Sequence, residues 1–251
     1  MLYPKKVGTL PVDRSDEEKQ TNEIKIAAPL LDAINICGKT VTGDALLTQR
    51  DFARYLVEKR QANYLFIAKG NQKNLLEDIE FNFIHKGKNP DHETIDGIEH
   101  GRIENRKIWV NSDLNKYLEF PHVGQSFMIY RTSYNKKSGK SSNETVYGVT
   151  SLSPNQADPA KLLKINRGHW VIENTCHYII DWNYDEDRSR IRTGYGPENI
   201  TRLRRFAVGL IKSKKVKSVA QKMRQLLLNT RAVFDYLKMT LNSQASHGTV
   251  H

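Results

Sequence analysis

Apolar and polar positions in the first third of the chain alternate between strand-like and helix-like patterns. Residues 39–45 and 64–68 are short apolar runs, and the second is continuous and bounded by polar residues, as in an inner strand of a parallel sheet. Apolar residues at helical spacing surround these runs, at residues 24–34, 52–57 and 75–83. Strand and helix alternating in this way predict a parallel α/β unit, in which ligands gather at the carboxyl ends of the strands.

Polar residues follow both predicted strands. Asp44 stands at the end of the first strand, and the turn 69–72 follows the second. Thr48 is predicted to cap the next helix, with Asp51 as the acid of a capping box. An aspartate at a strand end commonly makes only a turn or a cap, so position alone gives Asp44 no catalytic role.

The chain changes character over residues 86–155, where turn-rich stretches separate short β-prone pieces. This pattern predicts an antiparallel β insertion within a domain, with no linker to mark a boundary. The turn 135–140 carries three lysines. It could contact DNA phosphate, although such a turn is more often a solvated hairpin tip. The predicted strands are residues 93–95, 101–110, 126–134 and 144–152.

Helical patterns dominate the last third of the chain. Asp158 is a predicted N-cap with Pro159 at the first helical position, and this helix is predicted to continue to Asp181. A further helix begins after Pro197, with Leu203 facing inward and an arginine face outward. A last amphipathic helix is predicted over 216–241, followed by a frayed tail at 242–251.

One face of the helix predicted over 159–181 carries His169, Glu173 and His177, at positions four residues apart within a mostly apolar stripe. A carboxylate in such a stripe needs a partner, because burying an unpaired charge is costly. Either Glu173 meets a cation or metal at the mouth of a cleft, or the helix is a core helix with one paired glutamate. These residues alone leave both alternatives open.

Charge is distributed unevenly along the 251 residues, whose net charge is +11. Residues 188–240 hold 14 Lys and Arg against two acids, Glu198 and Asp235, for a net charge of +12. The rest of the chain is close to neutral. A one-sided basic segment of this kind is typical of proteins that bind nucleic acid.

Several features bear on location. No run of about eighteen apolar residues is present, so no transmembrane helix is expected, and the first residues lack a signal-peptide core. Cys37 and Cys176 lie far apart and fit no metal-binding spacing, which favours free, buried thiols in a reducing cytoplasm.

Three sequence motifs resemble those of bacterial insertion-sequence transposases, in the branch that includes the H-repeat-associated proteins. Residues 167–178 read Arg-Gly-His-Trp-Val-Ile-Glu-Asn-Thr-Cys-His-Tyr and are followed by Asp181 and by the acids Glu186 and Asp187. Residues 42–49 read Thr-Gly-Asp-Ala-Leu-Leu-Thr-Gln, and 69–72 read Lys-Gly-Asn-Gln. The resemblance runs over nearly the whole chain.

The resemblance implies an RNase H-like (integrase-type) α/β fold, with a mixed sheet flanked by helices and an antiparallel β insertion before the helix of the catalytic glutamate. One domain would span residues 1–241, with the insertion at about 86–155 and the basic helices at about 188–241. The expected location is the bacterial cytoplasm, in association with the nucleoid when DNA is bound.

The resemblance also implies a chemistry and a set of site residues. In this family an Asp-Asp-Glu (DDE) triad binds Mg²⁺ or Mn²⁺, and two such ions about 4 Å apart promote phosphodiester cleavage and joining. Asp44 and Glu173 match the second and third carboxylates, and His177 is a further catalytic candidate. The partner would be DNA, bound by a possible homodimer. The DNA-binding candidates are Arg167, His169, Lys69, Asn71, Gln72, Arg202, Arg204, Arg205, Lys214 and Lys215.

One feature departs from the family pattern. The family's first aspartate lies in an Asp-Gly-Lys motif on the first strand, and no such motif precedes Asp44. We therefore expect a truncated copy with an open sheet edge and uncertain activity. The alternative is a non-catalytic DNA-binding remnant that uses the basic C-terminal helices. A metallohydrolase built on His169, Glu173 and His177 is disfavoured, because their spacing differs from His-Glu-x-x-His.

Overall fold

The computed structural model divides the chain into two compact units, Met1–His169 and Trp170–His251. It describes residues 16–84, 87, 89–99, 102–113, 115–171, 178–185, 188–214 and 216–240, without side chains at 16–22 and 97–99. Among the described residues, no helix is both long and apolar enough to cross a membrane.

The first unit contains both helices and strands. In chain order its helices are α1 (Asp16–Asp32), α2 (Arg50–Arg54, continued by a π-helical turn, Tyr55–Lys59), a 3₁₀ turn (Gly70–Gln72), α3 (Lys73–Ile84) and α4 (Pro159–His169). Its strands are β1 (Thr40–Gly43), β2 (Asn63–Ala68), β3 (His92–Glu99), β4 (Arg102–Asn111), β5 (Gln125–Asn135) and β6 (Ser141–Thr150).

These strands form one six-stranded mixed sheet in the order β1-β2-β6-β5-β4-β3. β1 and β2 are parallel, as the alternation of strand and helix predicts. The four strands of the predicted insertion are antiparallel, and they extend the same sheet because β6 pairs with β2 (Leu65 opposite Thr150). The predicted class, a mixed sheet flanked by helices, is confirmed.

Alternation along β2 divides the core between the two faces of the sheet. Tyr64 and Phe66 are fully buried and pack with α2 and α3, whereas Leu65 packs with Leu162 and Leu163 of α4 on the other face. Burial raises the pKa of Tyr64. The Tyr64 hydroxyl donates to the Pro121 carbonyl at 2.6 Å, which satisfies its buried polar atom.

The capping box predicted at Thr48 is wrong. Gln49 occupies the N-cap of α2 and makes no side-chain cap hydrogen bond. Thr48 is instead completely buried, with its Oγ1 2.7 Å from the carbonyl oxygen of Ile67 and 3.0 Å from that of Asp44. The single hydrogen of this hydroxyl is therefore donated to carbonyl oxygens within the fold and not used to cap α2.

Cys37 is also placed differently from the prediction. Its side chain is exposed and free, and its Sγ lies 3.5 Å from Oε1 of Gln61. It follows the buried Ile36 just before the turn at Gly38, whose φ of +68° requires the left-handed region. The chain therefore turns at the surface at this point, and the predicted buried thiol is wrong for Cys37. Cys176 lies outside the described residues.

The second unit is helical, with α5 (Tyr178–Tyr184), α6 (Gly196–Ser213), α7 (Val219–Leu227) and α8 (Thr230–Tyr236). The single helix predicted over 216–241 is wrong, because a new N-cap interrupts it. Oδ1 of Asn229 accepts a hydrogen bond from the backbone N–H of Ala232, which starts α8. Leu203, predicted to face inward on α6, is 62% exposed, because Val208 and Ile211 form the buried face of that helix.

The helix predicted over 159–181 begins where expected. Oδ1 of Asp158 accepts from the backbone N–H of Lys161 at 2.7 Å, the N-cap that the sequence predicts. α4 ends at His169, and Trp170 is a turn residue that is 56% exposed. The continuation over 172–177 lies outside the described residues.

Candidate functional site

Asp44 follows the last residue of β1, at the carboxyl end of the parallel strand pair. Its side chain is exposed, and its Oδ1 accepts hydrogen bonds from the backbone N–H groups of Leu46 at 3.0 Å and Leu47 at 3.3 Å. No described residue donates a hydrogen bond to its Oδ2. Asp44 is therefore anchored through one oxygen and open through the other, so the turn role and a ligand role are compatible.

Two side chains hold the loop that follows Asp44. Thr48 joins the Asp44 carbonyl to the Ile67 carbonyl of β2 through its buried hydroxyl. Asn71, in the 3₁₀ turn after β2, donates from Nδ2 to the carbonyl oxygen of Ala45 at 2.6 Å. The loops that end β1 and β2 are thus joined to each other, and Asp44 lies within a braced segment.

The predicted DNA-binding residues of the turn 69–72 have different surroundings. Lys69 is exposed, and Gln72 is half-buried. The amide of Asn71 is already engaged by Ala45, so Asn71 serves loop structure in this arrangement. Lys69 occupies the N-cap of this 3₁₀ turn and makes no side-chain cap hydrogen bond.

The C-terminal turn of α4 is fixed at two points within the first unit. Nδ1 of His169 lies 3.1 Å from Oγ1 of Thr42, two residues before Asp44 in β1. Arg167 forms an ion pair with Asp96 of β3 at 2.9 Å. The predicted DNA-binding residues His169 and Arg167 therefore hold this helix end against the two edge strands of the sheet.

Asp96 also belongs to a larger ion network. Arg106 of β4 bonds to both Asp96 and Glu104, and its side chain is only 12% exposed. An arginine buried to this extent needs its carboxylate partners, because an unpaired charge would lose its hydration without compensation. Asp96 thus serves Arg106 and Arg167 at once, and links β3, β4 and α4.

The other predicted catalytic residues, Glu173 and His177, lie outside the described residues, as do Glu186, Asp187 and Lys215. Within the part of the chain that the structure describes, no group of three or more His, Cys, Asp or Glu side chains could hold a metal ion. The oxygen chemistry of Asp44 suits Mg²⁺ or Mn²⁺. A single carboxylate is only part of such a site.

The basic candidates of the second unit also have structural contacts. Arg202 is exposed and pairs with Glu198 at 2.5 Å, and Arg205 is exposed. Arg204 is half-buried, with its guanidinium 5.9 Å from the centroid of the Tyr184 ring, so its predicted outward position is wrong. Nζ of Lys214 lies 5.7 Å from the centroid of the Tyr236 ring.

Sequence reasoning missed Thr42 and Asp96. Thr42 could have been found, since alternation in a strand places a residue on the same face as the one two positions away. Asp96 gave no signal, because its partner Arg167 is 71 residues away in the chain. Pairing at that separation becomes visible only in the fold.

Comparison with known proteins agrees with the resemblance in the sequence. The family model of the transposase DDE domain matches residues 9–204. YncI of Escherichia coli O157:H7, named as a transposase, is 30% identical over 220 residues, covering 85% of this chain and 56% of that protein. YhhI of Escherichia coli K12, named as an H repeat-associated transposase, is 27% identical over 229 residues, covering 88% of this chain and 60% of that protein.

The chain therefore spans somewhat more than half the length of these relatives. A solved structure, the piggyBac transposase synaptic complex with hairpin DNA, covers 91% of this chain and 42% of its own, at 12% identity and a TM-score of 0.42. The family model alone covers well over half of the residues, and on that basis the chain belongs to the DDE transposase family.

Proposed function

We propose that this chain acts in DNA transposition as part of a transposase that cleaves DNA ends and joins them to target DNA. Asp44 and Glu173 would be ligands for Mg²⁺ or Mn²⁺. The observation that supports this best is the open Oδ2 of Asp44 on a braced loop at the carboxyl end of β1, where α/β sheets place their ligands.

Bound divalent ions would supply an activated nucleophile and stabilise the leaving oxygen of the phosphodiester. The chain's own residues position the carboxylate. Backbone N–H groups of Leu46 and Leu47 fix the Asp44 side chain, so that Oδ2 can bind an ion without a further change of rotamer. Thr48 and Asn71 would keep the loop in place when a divalent ion binds to the Asp44 carboxylate.

Glu173 and His177 enter the proposal through the family motif. Glu173 follows His169 by four residues in sequence, and His177 follows Glu173 by four. In this role His177 would orient the glutamate or donate to a phosphate oxygen. Binding of DNA, as a homodimer, would draw on Lys69, Gln72 and the basic helices of the second unit.

Metal binding tests the ligand assignment directly. Mn²⁺ binding to the protein would be measured by electron paramagnetic resonance, without DNA. Loss of even an indirect partner of a metal ligand typically weakens binding 10-fold or more, so D44N and E173Q should each lower affinity by at least about tenfold. Asparagine keeps an oxygen for the two N–H donors, so the loop should survive in D44N.

Asp51 provides the matched control for this experiment. Its carboxylate is exposed, lies seven residues beyond Asp44 and pairs with Arg54 at 2.8 Å. D51N should leave Mn²⁺ affinity within about twofold, because surface pairs of this kind contribute little. Equal affinity in the wild type, D44N and E173Q would show that these carboxylates are not the ligands.

A second candidate function is DNA binding without catalysis. It is favoured by the net charge of +12 over residues 188–240, because neutralising phosphates requires only basic side chains. In this case the D44N/E173Q double variant would bind duplex DNA as the wild type does. Mn²⁺ affinity would also be equal in the two proteins, whereas the transposase proposal requires Mn²⁺ binding by the wild type that the double variant loses.

A further inference from the structure

The β insertion extends far beyond the parallel strands. Ala68, the last residue of β2, pairs with Tyr147, and six residues of β6 (141–146) continue past it in the direction in which β1 and β2 end. At about 3.3 Å per residue these six residues span roughly 20 Å. We call residues 102–106 and 130–146 the distal arm. It extends from the same end of the sheet as Asp44.

The outer strand of the distal arm is exposed, and the arm is held together by strand pairing along its length. Residues 141–145 of β6 are all exposed, whereas β5 is largely buried at its start, from Gln125 to Ile129. Continuous pairing of β4, β5 and β6 runs to the end of the arm. Arg131 bonds to Glu144, its register partner on the next strand, at 2.5 Å. β3 also pairs with β4 along this stretch, so the arm is a braced projection of paired strands.

The tip of the arm is a defined turn. Oδ1 of Asn135 accepts from the backbone N–H groups of Lys137 at 2.9 Å and Ser138 at 3.2 Å. Gly139 has a φ of +66°, a conformation that side-chain-bearing residues rarely adopt. These contacts fix the backbone of the turn that carries the lysines, which lowers the entropy cost of ordering the turn when a partner binds.

The charge at the tip is positive, with four exposed cations against one neighbouring acid, Glu99 of β3, which is the register partner of Arg102. Lys136, Lys137, Lys140 and Arg102 are exposed, and Arg102 is the register partner of Asn135. None of these four takes part in an ion pair between described residues. The described acids of the arm are engaged elsewhere, Glu144 by Arg131 and Glu104 by Arg106. The tip thus presents cations without a partner in the part of the chain described.

We propose that the tip of the distal arm is a DNA contact that grips the phosphate backbone of a duplex held at the Asp44 end of the sheet. Charge complementarity identifies the partner, since duplex DNA carries closely spaced phosphates. The reach of roughly 20 Å corresponds to about six base pairs along the duplex. The proposal rests on the DNA-processing function above and adds a contact site far from the basic helices of the second unit in sequence.

The test is the salt dependence of DNA binding by the full chain. A labelled duplex of random sequence, about 30 base pairs long, would be titrated by fluorescence anisotropy at about 50 to 200 mM NaCl. Each phosphate contact adds about 0.9 to the slope of log K against log salt, so K136Q/K137Q/K140Q should lower its magnitude by about 2 to 3. Affinity at low salt should fall at least about tenfold.

Three lysines at the opposite end of the sheet provide a matched control. Lys39 precedes β1, Lys59 lies in the π-helical turn before β2, and Lys116 lies between β4 and β5. All three are exposed. K39Q/K59Q/K116Q removes the same charge and should leave the slope within about 0.5 of the wild type. Both triple variants should keep the wild-type melting temperature, because the substituted side chains are exposed.

The outcomes separate this inference from the function on which it rests. If the tip variant keeps the wild-type slope, or if both triple variants lose the same amount, the arm makes no specific contact and the inference is overturned alone. If the wild type does not bind the duplex at all, both the inference and the DNA partner are overturned. Mn²⁺ binding by Asp44 is measured without DNA and is independent of either result.

Discussion

At the scale of single residues, the candidate site depends on a buried hydroxyl as much as on its carboxylate. Thr48 is completely buried, and its Oγ1 contacts the carbonyl oxygens of Asp44 and Ile67. T48V keeps the shape of the side chain and leaves both carbonyl oxygens without this donor. The net contribution of such a hydrogen bond is about 0.5 to 1.5 kcal/mol, and we expect a loss of this size in the free energy of unfolding from urea titration.

Thr145 is the control for T48V, because it has the same side chain at an exposed position of β6. T145V should change the free energy of unfolding by no more than about 0.5 kcal/mol. Equal losses in the two variants would mean that the buried hydroxyl of Thr48 contributes nothing beyond its shape.

Thr48 also shows which contacts could not be predicted from the sequence. The position of Asp44 at a strand end could be predicted, because strand and helix patterns are local. Thr48 was assigned to a capping box because a threonine and an acid three residues apart form that motif. The actual partner, Ile67, is 19 residues away. A local motif cannot distinguish a cap from a buried tertiary hydrogen bond.

At the scale of secondary-structure elements, the start of α4 could be predicted from the sequence, whereas its end could not. Asp158 and Pro159 mark the beginning of α4 in the sequence, and the structure confirms this cap. The end of α4 is fixed by Thr42 and Asp96 of the two edge strands. The four strands of the insertion were predicted to be antiparallel, but their union with the parallel strands was not, since pairing between β2 and β6 is long-range.

The ion network of Asp96 leads to a prediction for these elements. Asp96 binds Arg106, whose side chain is 12% exposed, as well as Arg167. D96N removes one charge from a mostly buried network, and breaking a buried pair costs up to about 3 to 5 kcal/mol. Because Arg106 keeps Glu104, we expect a smaller loss of about 2 kcal/mol, measured by urea unfolding.

Glu93, on the same strand, provides the comparison. Its ion pair with Lys107 is longer, at 3.6 Å, and more exposed, at 37% and 35% of the side chains. E93Q should cost less than about 1 kcal/mol, as is usual for surface pairs. A loss in E93Q as large as that in D96N would show that burial of Arg106 does not set the cost.

At the scale of the whole molecule, hydrophobic patterning and the family resemblance predicted the fold class, and the positions of charged residues predicted the charge asymmetry. The contacts that those charged residues make became visible only in the fold. The sequence located the basic excess in residues 188–240. The structure shows that several of these side chains are occupied, Arg202 by Glu198 and Lys214 by the Tyr236 ring. It also shows cations on the distal arm that form no ion pair between described residues, at a turn for which the sequence left DNA contact and a solvated hairpin tip both open.

The basic segment 188–240 and the tip of the distal arm can be compared by the salt dependence of DNA binding. Arg205, Lys217 and Arg231 are exposed in the second unit, and no ion pair between described residues includes them. The slope of log K against log salt counts neutralised phosphates at about 0.9 each, whatever the geometry of binding. R205Q/K217Q/R231Q should therefore lower the slope by up to about 2.7, and this loss should add to that of K136Q/K137Q/K140Q in the sixfold variant. If the sixfold variant loses no more than one triple variant, the two regions neutralise the same phosphates as alternatives, and the arm is not an additional contact.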